Sequence, residues 1–327
     1  MGRKIRFGII GAGRIAQKFA TGLSHVEDAQ LTAIASRNIE SADNFGNMFT
    51  IEKRYGSYKE LVEDPDIDVV YISTPNSWHK EHAILCMENK KAVICEKPFG
   101  ISKAEVEEMI QVAKTNGVFL MEAMWTRFFP VVKAVRELVR KGVIGKVKMI
   151  EGDFGFESDT GYGDIRFNKA LGGGSIMDVG IYPISFASMI YNTQPTQIKA
   201  LAHIGQTGVD EEAAVIFAYE NGGMALLSSA LTTETPRNMY IVGEKGHIHI
   251  PNVWYAETAV VRINGEDDSV IDLPIEGNGY NYEIQEVVSC IQNGKLENDI
   301  MPLSETLDII ETLDRIKEEI ALDIKKK

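Results

Sequence analysis

Two short stretches of this sequence carry side chains that could do acid–base chemistry. The first, EKPFG at residues 96–100, closes the strand-like run AVICEKPFG with Glu96 and Lys97 side by side. A partly desolvated lysine has its pKa lowered and can hydrogen-bond a substrate hydroxyl or a neighbouring acid. Glu96 can order such a loop, and Pro98 fixes the backbone that presents Lys97. Standing alone, the pair would read as surface charges before a turn. The second stretch, GGGSIMDVGIYPISFASMI, sets Asp178 and Tyr182 four apart in an apolar helix, one above the other on one face. A carboxylate and a phenol in such surroundings need partners or a purpose, although a lone tyrosine there is more often a core residue with its hydroxyl satisfied. Gly172 to Gly174 give that helix a flexible entry where a ligand can approach the backbone. Taken with Lys97, the pair points to a site rather than to packing.

Something must bring a reactant to these groups, and FGIIGAGRIA supplies it. Gly11, Gly13 and Ala16 form the G-x-G-x-x-A pattern directly after a strand and at the opening of a helix, with Arg14 and Ile15 between. Gly11 permits the tight turn, Gly13 lets a pyrophosphate approach the backbone, and Ala16 lets helix and strand pack closely. The pyrophosphate would rest on the helix N-terminus. A plain Gly-rich turn is the competing reading, and the strand–turn–helix context disfavours it. At the end of the second strand the residues are ASRN, with no acid to bond a ribose hydroxyl. Ser36 and Arg37 suit a 2′-phosphate, so NADP(H) is expected, with NAD(H) the lesser alternative. A solvated Arg37 beside the adenine is the other possibility. In YISTPNSWH, Thr74, Pro75 and Asn76 would line the ribose and nicotinamide side, together with Glu96 and Lys97. His79 is expected chiefly as a satisfied surface residue capping the next helix, and less as a site residue.

The elements that position these groups follow from hydrophobic period. IRFGII, LTAIAS, DVVYIS, KAVICE and VFLME read as strands alternating with amphipathic helices, the pattern of a doubly wound parallel sheet. In SKAEVEEMIQVAKTNG, Ser102 and Glu105 form a capping box and Gly117 is the stop. From Trp125 the pattern changes. One basic helix, FPVVKAVRELVRKG, leads into KVKMIEGDF, QIKALAHI, EAAVIFAY, GMALLSSAL, MYIVG, HIHI and AVVRI, a large and mostly antiparallel sheet. Two helical segments close the chain. The expected architecture is therefore α/β: a Rossmann domain over residues 1–122 and an α+β domain over 123–327, whose C-terminal helix can pack back on the first.

Composition agrees with two cores: 327 residues, 44% hydrophobic and 25% charged. A net charge of -13 disfavours nucleic acid and anionic membranes as partners. The opening MGRKIRFGII suits neither a signal peptide nor a span, Arg6 stands where myristoylation needs Ser or Thr, and disorder is expected only at the IKKK tail. Cys86, Cys95 and Cys290 have no metal-ligand spacing, no metal is expected, and a reducing cytoplasm is the simplest home. The alternating strands would leave an apolar sheet face bare, so a homodimer or homotetramer is expected.

The motifs GIIGAGRIA, STPNSWH, EKP and GGGSIMDVGIYPI, in this order along essentially the whole chain, resemble the glucose-fructose oxidoreductase and inositol dehydrogenase family, also called Gfo/Idh/MocA. MEAMWTRFFP together with ASR is most similar to its dimeric dihydrodiol dehydrogenase and NADP-dependent sugar dehydrogenase branch. The resemblance implies an NADP-type Rossmann domain, a second domain whose open sheet mediates oligomer contacts, and no metal. It places the family lysine at Lys97, the helix aspartate at Asp178 and the proton-transfer residue at Tyr182. A tyrosine rather than a histidine there favours the dihydrodiol and sugar branch over inositol. Trp125 and Arg127 match the branch's substrate pocket, with Phe156 and Arg166 weaker matches to it.

The mechanism implied is oxidation of a secondary or anomeric hydroxyl, with Tyr182 taking its proton. An unperturbed phenol, with a pKa of about 10, is a poor base at neutrality, and Lys97 would favour its ionised form. Asp178 would orient the hydroxyl or the lysine, Trp125 would cover the apolar face of the ring, and Arg127 would bind polar groups. Three other readings stand beside this one: a non-catalytic sensor of the same fold, an NAD-dependent inositol-type dehydrogenase, and a carbonyl reductase running in reverse.

Overall fold

The computed structural model describes residues 3–324. The Met1–Gly2 start and the last three residues of the tail, on which the readings above also touch, lie outside them. The chain forms two compact units, Met1–Trp125 with Glu276–Leu307, and Thr126–Ile275 with Asp308–Lys327. The change after Trp125 lies beside the boundary drawn near residue 122, and Glu276–Leu307 returns to the first unit.

The first unit holds a six-stranded parallel sheet in the order β3-β2-β1-β4-β5-β6. Its strands are β1 (Ile5–Ile10), β2 (Ala29–Ala35), β3 (Lys53–Tyr55), β4 (Val69–Ile72), β5 (Ala92–Glu96) and β6 (Leu120–Ala123). Both faces of the central strands are covered, which is why VVYI reads as a continuous apolar run and IRFGII is apolar after Arg6. The strand order reverses between β1 and β4, and the crevice outside their carboxyl ends is where such sheets take ligands. Strand β3 escapes sequence reading because its three residues, Lys-Arg-Tyr, have no apolar period. It is fixed from its side chains instead: Lys53 Nζ bridges Asp64 and Asp66 at 2.9 and 2.7 Å, and the Tyr55 hydroxyl donates to Asp64. Helix α1 (Arg14–Leu23) follows the glycine turn, and α8 (Tyr280–Gln292) packs on it at Gly22. A Cβ on Gly22 would lie 2.6 Å from the Tyr280 Cβ. Half of the expected capping box of α5 (Lys103–Asn116) forms: Ser102 accepts from the Glu105 N–H, while the Glu105 carboxylate accepts from the Ile101 N–H at 3.1 Å in place of that of Ser102, and Gly117 is left-handed at φ +62.

The second unit is built on an eight-stranded sheet in the order β14-β13-β12-β11-β7-β10-β9-β8. Its first strand is β7 (Val147–Gly155), and β8 (Gln197–Ile204) and β9 (Asp210–Ala218) form one edge with β10 (Met224–Ala230) inside them. Strands β11 (Met239–Gly243), β12 (Gly246–Ile250), β13 (Thr258–Ile263) and β14 (Ser269–Asp272) continue to the other edge. All neighbours pair antiparallel except β7 with β10. Strand β14, short and mostly exposed, is the one the period does not reveal. Alternation decides the faces. In β9, Glu211, Ala213, Val215 and Phe217 point inward, while Ile216 stays 45% exposed. Register carries an outer row from Lys199 through Ile216, Leu226, Glu151 and Tyr240 to His249. The basic helix α6 (Pro130–Arg140) and the apolar α7 (Ile181–Tyr191) belong to this unit.

Candidate functional site

At the glycine turn of the first unit, Gly11 has φ +99, and a Cβ there would stand 3.0 Å from the Ser73 carbonyl oxygen. Only glycine fits that conformation and that approach. Gly13 caps α1 with no side-chain hydrogen bond, and a Cβ on it would meet nothing within 4 Å. The first turn of α1 carries no acid. Its backbone N–H groups are thus open to an anion without a competing side chain, the condition a pyrophosphate needs. Ala16, wholly buried, lets the helix close on the sheet.

Past β2, Arg37 lies near the phenol of Tyr58; burial raises the pKa of that phenol, and the charge of the guanidinium opposes the rise only in part. Ser36 lies beside it, its Oγ accepting weakly from the Asn38 N–H at 3.4 Å. Tyr58 meets His82 edge-on at 4.6 Å, and burial, with His79 and Arg37 adding, lowers His82 to about 4. Tyr58 and His82 match no motif, and only the fold brings them beside Arg37.

His79 is not the surface residue expected from the sequence. It opens α4 (His79–Glu88) as expected, but its ring is fully buried. Nε2 lies 2.7 Å from the Thr74 carbonyl oxygen and Nδ1 2.9 Å from that of Pro98. The helix starts inside the loops at the sheet edge, so its first side chain becomes a tie between the Thr74–Asn76 loop and the Lys97–Pro98 loop. Burial lowers the ring's pKa against the pull of the two carbonyls. Thr74 is also held from its side chain, by His82 Nδ1 at 2.9 Å.

Glu96 is nearly buried; it accepts from the Tyr71 hydroxyl through Oε1 and from the Lys97 N–H through Oε2 at 3.2 Å. Phe99 N–H is taken by Glu122 at 3.2 Å. The loop that carries Lys97 is therefore anchored on three sides, by Glu96, Glu122 and His79. Trp125, at the end of this unit, is 4% exposed and stacks on Tyr280 at 4.5 Å.

In the second unit, Asp178 does not stand in an α-helix. Residues Ile176–Gly180 form a π-turn before α7, so the expected stacking of Asp178 over Tyr182 on one α-helical face is replaced by a wider turn. Pro183 supplies the reason: it has no N–H for the carbonyl of Val179, and a widened turn accommodates the missing bond. Arg166 Nε binds Asp178 Oδ2 at 3.0 Å, and its Nη1 binds Asp164 at 2.8 Å. The same guanidinium lies over the Phe156 ring at 4.8 Å. Asp178, Arg166 and Phe156, drawn from three separate stretches, are thus brought together. Burial would raise Asp164, but its bonds to Arg166 outweigh that and hold it below the usual range.

Tyr182 is 9% exposed and packs against Phe154, whose ring also meets Trp254 at 5.8 Å. It lines a small cleft with Thr126, Arg127, Ser185 and Phe186. Arg127 turns inward there: Nε binds Ser185 Oγ at 2.8 Å and Nη2 the Ser185 carbonyl at 2.6 Å. The glycine entry also differs from expectation. A Cβ on Gly173 would lie 2.3 Å from the Arg166 carbonyl, and one on Gly174 2.2 Å from Asp210 Oδ1. The close approach these glycines permit is made by the protein itself, where Asp210 caps the π-turn through the Ile176 N–H at 2.7 Å.

Among the described residues no group of three or more His, Cys, Asp or Glu could hold a metal, and no helix is long and apolar enough to cross a membrane.

Comparison with known proteins agrees with this fold. Residues 5–124 match a family model for an oxidoreductase family with an NAD-binding Rossmann fold, and residues 132–249 match the GFO/IDH/MocA C-terminal domain. The trans-1,2-dihydrobenzene-1,2-diol dehydrogenase of Mus musculus is 38% identical over 97% of both chains, and that of Xenopus laevis 37% over 97% of this chain and 98% of its own. Among solved structures, the aldose-aldose oxidoreductase of Caulobacter crescentus, complexed with glycerol, superposes with a TM-score of 0.90 at 26% identity over 98% of both chains.

Proposed function

This chain belongs to the GFO/IDH/MocA oxidoreductase family, and on that premise we propose that it transfers a hydride between NADP(H), in preference to NAD(H), and a hydroxyl-bearing carbon of a sugar, cyclic polyol or trans-dihydrodiol. The observation that carries the reading is similarity along nearly the whole chain to trans-1,2-dihydrobenzene-1,2-diol dehydrogenases. It is supported by the site residues: the open N-terminus of α1 suits a pyrophosphate, and Arg37 stands after β2 where no acid does.

A bound nicotinamide supplies the hydride acceptor. The protein's own groups handle the proton and the orientation. The Lys97 ammonium stabilises the phenolate form of Tyr182, which takes the proton of the substrate hydroxyl and becomes the neutral phenol. Asp178, itself held by Arg166, orients the hydroxyl. Phe156 and Trp125 border the apolar face of the substrate. Arg127 acts through its grip on Ser185, three residues beyond Tyr182 on α7, and so fixes where the phenol stands. In the reductive direction the same phenol returns the proton.

A screen of aldoses, cyclic polyols and trans-dihydrodiols with NADP, followed by absorbance of the reduced nicotinamide, tests the reading. Turnover of at least one class is expected; cofactor binding with no turnover of any would leave a sensor instead. Selectivity has its own test. Arg37→Asp lowers the NADP-to-NAD ratio of kcat/KM by about a hundredfold, since it removes a charge-assisted bond and adds a repulsion. An unchanged ratio would release Arg37 from this role.

We also propose a homo-oligomer formed through the outer sheet face, where Leu201, Ile216, Met224 and Leu226 are exposed at 61, 45, 42 and 39%. Light scattering of wild type and of a double variant, Ile216→Glu with Leu226→Glu, is expected to show an oligomer and a folded monomer; a wild-type monomer would remove the proposal. The three cysteines, free and buried, suit a reducing cytoplasm.

A further inference from the structure

One buried acid takes no part in the chemistry above. Glu283 lies in the first turn of α8, fully buried, and neither of its carboxyl oxygens has a hydrogen-bond partner. A carboxylate with no donor is much costlier to bury than a neutral acid, because desolvation acts on the charge. Glu96 from β5 acts on it, and the Tyr71 phenol from β4 feels Glu96, Tyr280 and Glu283 together. Helix α1, packed against α8, turns only Ala16, Phe19, Ala20, Gly22 and Leu23 inward, and Phe19 stacks on the Tyr71 ring. Burial pushes Glu283 far above the usual carboxylate range, and the charge of Glu96 pushes it further. Glu96 differs in kind, since the Tyr71 hydroxyl and the Lys97 N–H both donate to it, as a carboxylate requires.

We propose that Glu283 is a positioning residue for Lys97: it keeps the proton of the buried carboxyl pair it forms with Glu96, so that one negative charge, and not two, lies behind the loop that carries the lysine. The proposal rests on the reading in which Lys97 assists proton transfer at Tyr182. Two like charges in one low-dielectric site disfavour each other, and the second would also compete with the phenolate for the charge of the Lys97 ammonium. With the pair at a single charge, Glu96 anchors the loop while the ammonium of Lys97 stays available to the phenol.

Infrared difference spectroscopy of wild type against Glu283→Gln near neutral pH reads the pair directly. The expected result is a carboxylic-acid carbonyl band in wild type that the variant lacks. In turnover, Glu283→Ala, which admits water beside Glu96, lowers kcat about tenfold with KM for NADP little changed, and Glu283→Gln, neutral and of similar shape, restores most of it. If the alanine variant does not fold, the side-chain carbon-13 resonance of Glu283 in wild type gives the same answer by holding its protonated position through neutrality. A missing acid band, or a Glu283 resonance that titrates in the ordinary carboxylate range, overturns the proposal whatever the activity. A chain that shows the band but turns over no substrate overturns the functional reading and leaves the proton on Glu283.

Discussion

Tyr182→Phe lowers kcat by on the order of a hundredfold or more while the affinity for NADP stays within a few-fold of wild type. The substitution deletes one hydroxyl and leaves the ring, so the packing of residue 182 against Phe154 survives and the fold with it. What is lost is the acceptor for the substrate's proton. Steady-state turnover with a substrate from the screen, beside cofactor titration of the same variant, checks it. Near wild-type kcat would remove Tyr182 from the role, and joint loss of turnover and cofactor binding would point to misfolding.

The second large effect is expected at Lys97. Lys97→Met keeps the stem of the side chain and removes its charge. The loop retains its other anchors, Tyr71 to Glu96, Phe99 N–H to Glu122 and His79 to the Pro98 carbonyl. Turnover should fall by about a hundredfold, and the pH at which oxidation rises should move up toward the unperturbed phenol value of about 10. The sign follows from the roles: a positive charge favours the phenolate, so its loss raises the pH at which Tyr182 can act as a base. A pH profile of kcat displaced downward, or not at all, would contradict the pairing.

Much of this architecture was legible in the sequence because it rests on local rules. The glycine turn stands in strand–turn–helix context, Ser102 and Gly117 bound α5, and β8 and β9 bury alternate residues. What stayed hidden depends on contacts between distant segments. Strands β3 and β14 are too short and polar to show a period. The π-turn at Asp178 follows from Pro183, a residue read in the sequence only as part of an apolar helix. A histidine at a helix start reads as an exposed cap, whereas this helix begins inside the loops and buries His79. Glu283 did leave a trace: it falls three residues after Tyr280 and four before Val287, on the buried stripe of α8. An acid on that stripe is the kind of local inconsistency that marks a functional or strained position.

The most direct measurement is a crystal structure of the chain with NADP and a substrate that it turns over, read for the distance from Tyr182 Oη to the reacting oxygen. The account predicts hydrogen-bond reach, about 2.6–3.2 Å, with the Lys97 ammonium beside the same phenol. A substrate bound with its reacting hydroxyl on another group, or a phenol well beyond that reach, would contradict it.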